Sequence, residues 1–209
     1  MPDKYPNFDV LSRSEISGTD YQISVRRAKD AFAIVAPHGG GIEPGTSEIA
    51  DAIAAAEFSF YAFEGLKSSG NSDLHITSTR FDEPMCLTLI RQSGIVLTIH
   101  GENSDGNGEP VFLGGQDADL GKLVNAALTA SGFEVRQHED PRLQGIETCN
   151  VCNRGTTGAG VQLELSRSLR EQMFSSLSKE GRKHPTPKFH AFVDAIRSKL
   201  TTNAAVNCT

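Results

Sequence analysis

The chain has 209 residues, of which 38% are apolar and 22% are charged, and its formal net charge is −6. This length suits a single domain over residues 1–209 with its own core, and the acidic balance disfavours general nucleic-acid binding, which needs a dense cationic surface. No apolar run is long enough to cross a bilayer and the start lacks a signal-peptide pattern, so we expect synthesis in the cytoplasm and no membrane partner.

The first half of the chain predicts strands and one helix. Four segments with apolar or alternating side chains are predicted strands: residues 21–25, 31–36, 57–62 and 74–77. The polar turn from Arg26 to Asp30 predicts a hairpin between the first two. Alanines and spaced isoleucines after a glycine-rich loop favour a helix over residues 46–56.

The second half continues the alternation. Predicted strands cover residues 95–99, 133–137 and 160–165. Predicted helices begin at Pro84 and after the cap residue Ser166, and cover residues 117–131 and 185–200. Residues 138–160 lack periodicity and indicate a long functional loop. Together these elements predict one α/β domain, with a mixed, largely parallel sheet flanked by helices and ligands bound at its carboxyl edge.

Two histidines and a glutamate follow predicted strands. His38 and Glu43 share the glycine-rich loop after residues 31–36, and His100 follows residues 95–99. Two imidazoles and one carboxylate commonly hold catalytic zinc, with a fourth position left for water. A strand-end histidine can instead be an ordinary hydrogen-bonding residue, and Glu43 can be a solvated charge at a helix entry. The pattern makes one Zn²⁺ ion on these three residues the leading hypothesis.

Five blocks occur along the chain in the order APHGGGIEPGTSEIADAIA, FYAFEG, LHITSTRFDEP, IVLTIHG and GVQLELSRSLR. Together they resemble the poly-γ-glutamate hydrolases of phages and bacilli, a zinc peptidase family. The resemblance implies a zinc carboxypeptidase-like fold, ligation by His38, Glu43 and His100, and the poly-γ-glutamate polymer as partner. Carboxypeptidases carry their first two ligands as His-x-x-Glu, whereas four residues separate His38 from Glu43 here. This spacing argues against an ordinary peptide C-terminus as substrate.

Glu164 is the predicted general base and acid. It lies on the strand at residues 160–165 with Gln162 on the same face, although a strand carboxylate can also be a surface charge. The resemblance to carboxypeptidases, whose catalytic glutamate also lies on a late strand, supports the assignment. Arg80 and Arg154 are candidates for stabilising an oxyanion or clamping a substrate carboxylate, because a guanidinium offers forked donors.

The implied polymer carries a free α-carboxylate on every residue, so a local cationic groove is expected despite the acidic total. Its candidates are Arg80, Arg91, Arg142, Arg154, Arg167 and Arg170. Arg91 and Gln162 join Arg80 and Arg154 as predicted substrate-binding residues. The resemblance further implies cleavage within the polymer, degradation of a capsule during phage infection, and action outside the cell after host lysis.

Other functions stay open on the sequence alone. They are a zinc carboxypeptidase or amidase on small γ-glutamyl or cell-wall peptides, a non-catalytic polyglutamate-binding module, and a redox protein built on Cys149 and Cys152. The irregular surroundings of this cysteine pair favour a structural loop, with a local disulfide as an alternative. The remaining histidines are expected to be ordinary polar residues: His75, His138, His184 and His190. No heptad pattern demands assembly, so a monomer is expected.

Overall fold

The computed structural model describes residues 3–29, 31–103 and 108–206 of the chain. Its strands are β1 Tyr21–Arg26, β2 Phe32–Gly40, β3 Ser59–Gly65, β4 Ile95–Glu102, β5 Val111–Gly115, β6 Val135–Arg136 and β7 Val161–Ser166. Its α-helices are α1 Phe8–Ser14, α2 Thr46–Ala54, α3 Pro84–Ile90, α4 Ala118–Ala130, α5 Arg167–Met173 and α6 Pro187–Val206. Short 3₁₀ turns cover Asn71–Leu74, Pro141–Leu143, Val151–Asn153 and Gly181–Lys183.

The strands form one sheet in the order β1-β3-β2-β4-β7-β5-β6. The central strands β3, β2, β4 and β7 are parallel, whereas β1 and β5 run antiparallel to their inner neighbours. The predicted mixed, largely parallel α/β sheet is therefore confirmed. Among the described residues, no helix has both the length and the apolarity to cross a membrane.

Both faces of the sheet are covered, as the alternation along β2 shows. Phe32 and Ile34 enter a core formed with α2, α4, α5 and α6, and Ala33 and Val35 enter a second core with α1 and α3. A strand buried on both faces needs a continuous apolar run, which explains the sequence of β2. This burial fixes the direction in which β2 and β4 deliver their carboxyl ends.

The predicted opening hairpin is wrong. Strand β1 pairs antiparallel with β3, from Tyr21 opposite Gly65 to Arg26 opposite Phe60, and β2 lies between β3 and β4. Because both edges of β2 are taken by parallel strands, β1 cannot pair with β2, and it extends the sheet at the outer edge of β3 instead. Asp30, within the predicted turn, lies outside the described residues.

The predicted strand at residues 74–77 is also wrong. Leu74 ends a 3₁₀ turn and the following residues form no ladder. Leu74 and Ile76 are buried in the second core, while His75 and Thr77 line a cavity on the other side. The alternation therefore records two environments of an irregular segment. Helix α1 and strand β5 were not predicted.

Candidate metal centre and active site

The candidate site lies at the carboxyl edge of β2, β4 and β7. His38 stands near the end of β2, Glu43 follows in the loop to α2, and His100 lies in β4. Glu164 in β7 is the register partner of His100. In an open α/β sheet, ligands bind in the crevice outside the carboxyl ends of the strands, at the point where the strand order reverses. The structure thus brings together four residues predicted from separate parts of the sequence.

Polar atoms of three of these residues converge on one point. His38 Nδ1 lies 3.1 Å from Glu43 Oε1 and 3.2 Å from His100 Nδ1. His100 Nδ1 lies 3.8 Å from Glu43 Oε2. Two ligands of a tetrahedral zinc ion, each bound at about 2.0–2.1 Å, stand roughly 3.4 Å apart. The donor set and its spacing therefore fit a zinc ion.

Neighbouring backbone groups orient these ligand candidates. The Ile76 carbonyl lies 2.8 Å from His38 Nε2 and can only accept, so Nε2 carries a hydrogen, and in the neutral imidazole Nδ1 presents its lone pair. The Gly101 N–H donates to Glu43 Oε2 over 2.7 Å. The β2–β3 register shifts between Ala36 and Gly39, a local irregularity of the kind that re-aims a side chain, here beside His38.

The tight backbone after His38 requires glycine. Gly40 has φ +63°, and a Cβ there would lie 2.6 Å from the carbonyl oxygen of Gly65. A left-handed conformation against a neighbouring backbone leaves no room for a side chain. The glycine-rich run is therefore a packing requirement of the loop that carries Glu43.

The surroundings of the site shift the pKa values of His100 and Glu43. Burial, with His38 and His75 nearby, lowers the pKa of His100 to about 3, so its imidazole is neutral at neutral pH. Burial alone would raise the pKa of Glu43, but His38, His100 and His75 outweigh it and lower that pKa to about 2. A neutral imidazole and an ionised carboxylate are the forms that bind metal.

His75 is part of the site although the sequence indicated an ordinary polar residue. Its Nδ1 lies 2.7 Å from Asp3 Oδ1, and its Nε2 lies 3.8 Å from Glu43 Oε1. Asp3 also accepts hydrogen bonds from the Thr77 N–H and from Arg80, each over 2.8 Å. A carboxylate on one ring nitrogen directs the other toward the centre, as in carboxylate–histidine–metal arrangements.

Two sets of three ligands are therefore available, sharing His38 and Glu43. The ligand atoms of His38, Glu43 and His75 lie within 4.8 Å of one another. We favour His100 as the third member because its Nδ1 is only 3.2 Å from His38 Nδ1 and it is 2% exposed, whereas His75 is partly exposed. The ring of His75 instead lies against that of His38, with centroids 4.0 Å apart.

A cavity of about 210 Å³ opens over this centre. It is lined by His38, Glu43, His75, Thr77, Ser78, Thr79, His100, Gly101, Glu102, Asn103, Arg142, Leu143, Asn150, Gln162 and Glu164. Glu164 is 6% exposed, and its burial, with Glu43 and Glu102 nearby, raises its pKa well above the ordinary value. A buried carboxyl group with a raised pKa beside a metal centre is suited to proton transfer.

The predicted arginines are placed differently from one another. Arg142 lines the cavity and is exposed, with Asp140 2.6 Å away. Arg80 and Arg154 are not among the described lining residues: Arg80 binds Asp3, and Arg154 Nη1 donates to the Phe81 carbonyl over 2.8 Å.

Arg91 and Arg167 also lie outside the described lining. Arg91 follows α3 and precedes β4, so it lies at the amino-terminal end of β4, whereas His100 lies near the carboxyl end. Arg167, on the surface of α5, pairs with Glu171.

Arg170 cannot belong to a surface groove, because its side chain is fully buried. Its guanidinium donates to the carbonyls of Leu165, Pro44 and Glu102, over 3.2, 2.8 and 3.1 Å. A Cβ at Gly101 would lie 2.6 Å from Arg170 Cζ. The prediction of a groove position is therefore wrong, and Arg170 instead ties the Glu43 loop to the end of β4.

The cysteine pair forms no disulfide. Cys149 is exposed, Cys152 is buried, and both are free. Burial raises the pKa of Cys152 to about 12, and its thiol donates to the Gly145 carbonyl over 3.5 Å. Such a thiol is a poor nucleophile, which argues against the redox alternative. Cys208 lies outside the described residues.

A sheet edge that gathers two histidines, a carboxylate suited to binding metal and a second buried carboxyl group around an open cavity defines a hydrolase-type α/β site with a candidate metal centre. Residues 5–195 match the family described as Poly-gamma-glutamate hydrolase. The chain belongs to this family, as the sequence blocks indicated.

The chain is also similar to two proteins of Bacillus subtilis (strain 168). The chain is 40% identical over 181 residues to the SPbeta prophage-derived UPF0714 protein YoqZ of Bacillus subtilis (strain 168), covering 86% of this chain and 65% of that relative. It is 39% identical over 203 residues to the UPF0714 protein YmaC of the same organism, covering 96% of this chain and 85% of YmaC.

Two solved structures share the fold. One, described as a bacteriophage poly-gamma-glutamate hydrolase, has a TM-score of 0.93 at 33% identity, covering 98% of this chain and 100% of that chain. Another, described as zinc-free apo YNDL, has a TM-score of 0.89 at 33% identity, covering 97% and 99%.

Proposed function

We propose that the protein hydrolyses γ-glutamyl amide bonds within poly-γ-glutamate, using one zinc ion held by His38, Glu43 and His100. The observation that carries this proposal is the convergence of these three side chains, with distances of 3.1 to 3.8 Å between their polar atoms, beside the buried Glu164. Membership of the poly-γ-glutamate hydrolase family supports the substrate, and the zinc-free description of one similar structure supports the choice of metal.

Zinc bound at this site would polarise an amide carbonyl and make water a better nucleophile at neutral pH. Glu164 takes the proton from the attacking water and returns it to the amide nitrogen as the C–N bond breaks. A single carboxyl group can perform both transfers, because it is regenerated at the end. Gly101 and Ile76 hold Glu43 and His38 in place through their backbone groups during the reaction.

The polymer is bound through its free α-carboxylates. Among the described residues that line the cavity, Arg142 is the only arginine or lysine. Its forked donors suit a carboxylate. Its guanidinium pairs with Asp140, but the Arg142 side chain is 87% exposed, so a substrate carboxylate can reach and compete for its donors. We place Arg142 ahead of Arg80 and Arg154 in this role because the guanidinium groups of those two residues bind Asp3 and Phe81.

Cleavage within the polymer is favoured by space on both sides of the centre. A second cavity of about 360 Å³ shares Glu43, His75 and Asn103 with the first. A polymer lying across this shared wall would extend in both directions from the scissile bond. The similarity to a bacteriophage enzyme extends the proposal to the degradation of a capsule polymer outside the cell.

The decisive experiment incubates the purified protein with poly-γ-glutamate and follows polymer size, with and without a chelator. We expect the average length to fall rapidly before free glutamate accumulates, and cleavage to stop on metal removal and return with added zinc. Glu164→Gln should retain zinc and lose about 10²- to 10⁴-fold in kcat. Undiminished cleavage by metal-free protein would refute the zinc mechanism, and near-normal turnover of the glutamine variant would refute Glu164 as the base.

A further inference from the structure

Gln162 lies between the cavity-lining loop and Glu164, and its amide is fully engaged. Its Nε2 donates to the Leu143 carbonyl over 3.0 Å and to Glu164 Oε1 over 3.1 Å. Its Oε1 accepts from Asn150 Nδ2 over 3.0 Å. A primary amide has two N–H donors, and both are used. Gln162 is 3% exposed, so it is poorly suited to the substrate-binding role that its strand position predicted.

The direction of this amide is set by backbone groups at both ends. The Cys152 N–H can only donate, and it donates to Asn150 Oδ1 over 3.1 Å, so the Nδ2 of Asn150 faces Gln162. The Leu143 carbonyl can only accept, so the Nε2 of Gln162 faces Leu143 and Glu164. The chain of bonds therefore allows only one orientation for each amide.

We propose that Gln162 is a positioning residue for Glu164, and that Asn150 sets the orientation of its amide. The inference rests on the proposed role of Glu164. An N–H on Oε1 favours the ionised carboxylate and restricts its rotation, which leaves Oε2 for the proton exchanged during the reaction. Among the described contacts, Gln162 is the side chain that donates a hydrogen bond to Glu164.

The same bonds tie the base to the substrate side of the cavity. Leu143 and Asn150 belong to the loop that carries Arg142, and all three line the cavity. Gly145, in the same loop, has φ +64°, and a Cβ there would lie 2.9 Å from Gln162 Cδ. The loop therefore fixes the position of Arg142 relative to Glu164.

The test is Asn150→Asp, which keeps the shape and the bond from Cys152 but cannot donate to Gln162. The Gln162 amide is then expected to flip, because its N–H can donate to the new carboxylate. The flipped amide presents its carbonyl oxygen, rather than an N–H, to Glu164. We expect kcat on poly-γ-glutamate to fall by about 10- to 100-fold, with KM changed less than about twofold and zinc affinity retained. Asn150→Ala leaves the Leu143 carbonyl to hold the amide, so its kcat should fall less than that of the isosteric variant.

Asn153→Asp is the matched control. Asn153 is equally buried in the same loop, but its Nδ2 donates to the carbonyls of Gly145 and Glu147. Its substitution should lower the melting temperature, while kcat per folded molecule stays within about twofold of the unsubstituted protein. The proposal fails if both aspartate variants lose kcat equally, if Asn150→Ala loses more than Asn150→Asp, or if Asn150→Asp keeps full kcat. Full turnover by Glu164→Gln would instead refute the proposed role of Glu164, and undiminished cleavage by metal-free protein would refute the proposed zinc mechanism.

Discussion

His100 and Glu164 are register partners on the neighbouring parallel strands β4 and β7. Partners on adjacent strands point to the same face, and both side chains line the cavity. The separation of a proposed zinc ligand from the proposed base is therefore set by the hydrogen bonds of the sheet. Glu43, in contrast, depends on a loop held by glycines, by Gly101 and by the buried Arg170.

The choice of third ligand can be tested by zinc affinity. His100→Ala should weaken zinc binding by more than about 100-fold, because a ligand close to His38 is lost, and His75→Ala by only about tenfold, as for an orienting neighbour. Competition with a chromophoric chelator measures both. His190→Ala, at an exposed position on α6, should bind zinc normally. A larger loss for His75→Ala would assign that residue, with His38 and Glu43, as the ligand set.

Arg142→Gln should raise KM for the polymer several-fold, with kcat nearly unchanged, because the carboxylate grip acts in binding. Added salt should raise KM of the unsubstituted protein and should affect the variant less, since exposed charges are screened. Steady-state kinetics at two salt concentrations measures this. The control is Arg13→Gln, which removes another exposed arginine with an aspartate 2.6 Å away. Equal KM and salt dependence for the two variants would exclude Arg142 from substrate binding.

Arg170→Met should destabilise the fold by at least about 2 kcal/mol, because three carbonyls lose a buried charged donor. Urea unfolding measures the free energy. Arg167→Met, which removes only a surface pair with Glu171, should change it by less than about 0.5 kcal/mol. Similar small effects for both variants would show that the clamp between Pro44 and Glu102 is dispensable.

Glu15 makes stability depend on pH. It is 8% exposed, accepts from Tyr5 over 2.6 Å and lies 2.5 Å from Lys67 Nζ. Burial opposes its charge, but the bonds from Lys67 and Tyr5 outweigh burial and lower its pKa in the folded state. Its stabilising effect is therefore present above the unfolded pKa of about 4.3 and is lost as pH falls through the lower folded value.

Glu15→Gln should accordingly be less stable at pH 7, and its deficit should shrink toward pH 3. Urea unfolding of both proteins at the two pH values measures this. A deficit that is the same at both pH values would mean that the carboxylate charge of Glu15 contributes nothing.

His38, His100 and Glu164 could be found from the sequence because each lies at or near the end of an apolar strand. Parallel strands bring such ends to one edge, so a local pattern carries long-range information. Prediction from an apolar run succeeds for strands that are buried on both faces, because such strands can lie only in the centre of the sheet. It failed for β1, whose partner is separated from it by β2 along the chain.

His75 and Arg170 were misjudged for two different physical reasons. His75 acquires its role from Asp3, 72 positions away, and from an irregular segment placed only by core packing. Arg170 is a buried charge, which is rare because its desolvation must be offset by hydrogen bonds. Those bonds come from Pro44, Glu102 and Leu165, and the sequence gives no sign that they converge.

The bond from Gln162 to the Leu143 carbonyl bears on how specificity could be re-engineered in this family. A graft of residues 138–160 alone would carry Leu143, Asn150 and Arg142 into a new host but would leave Gln162 behind. The transplanted loop would then meet a foreign side chain at the position beside the base. A chimaera that exchanges residues 138–164 as one cassette keeps both ends of the connection from the same parent.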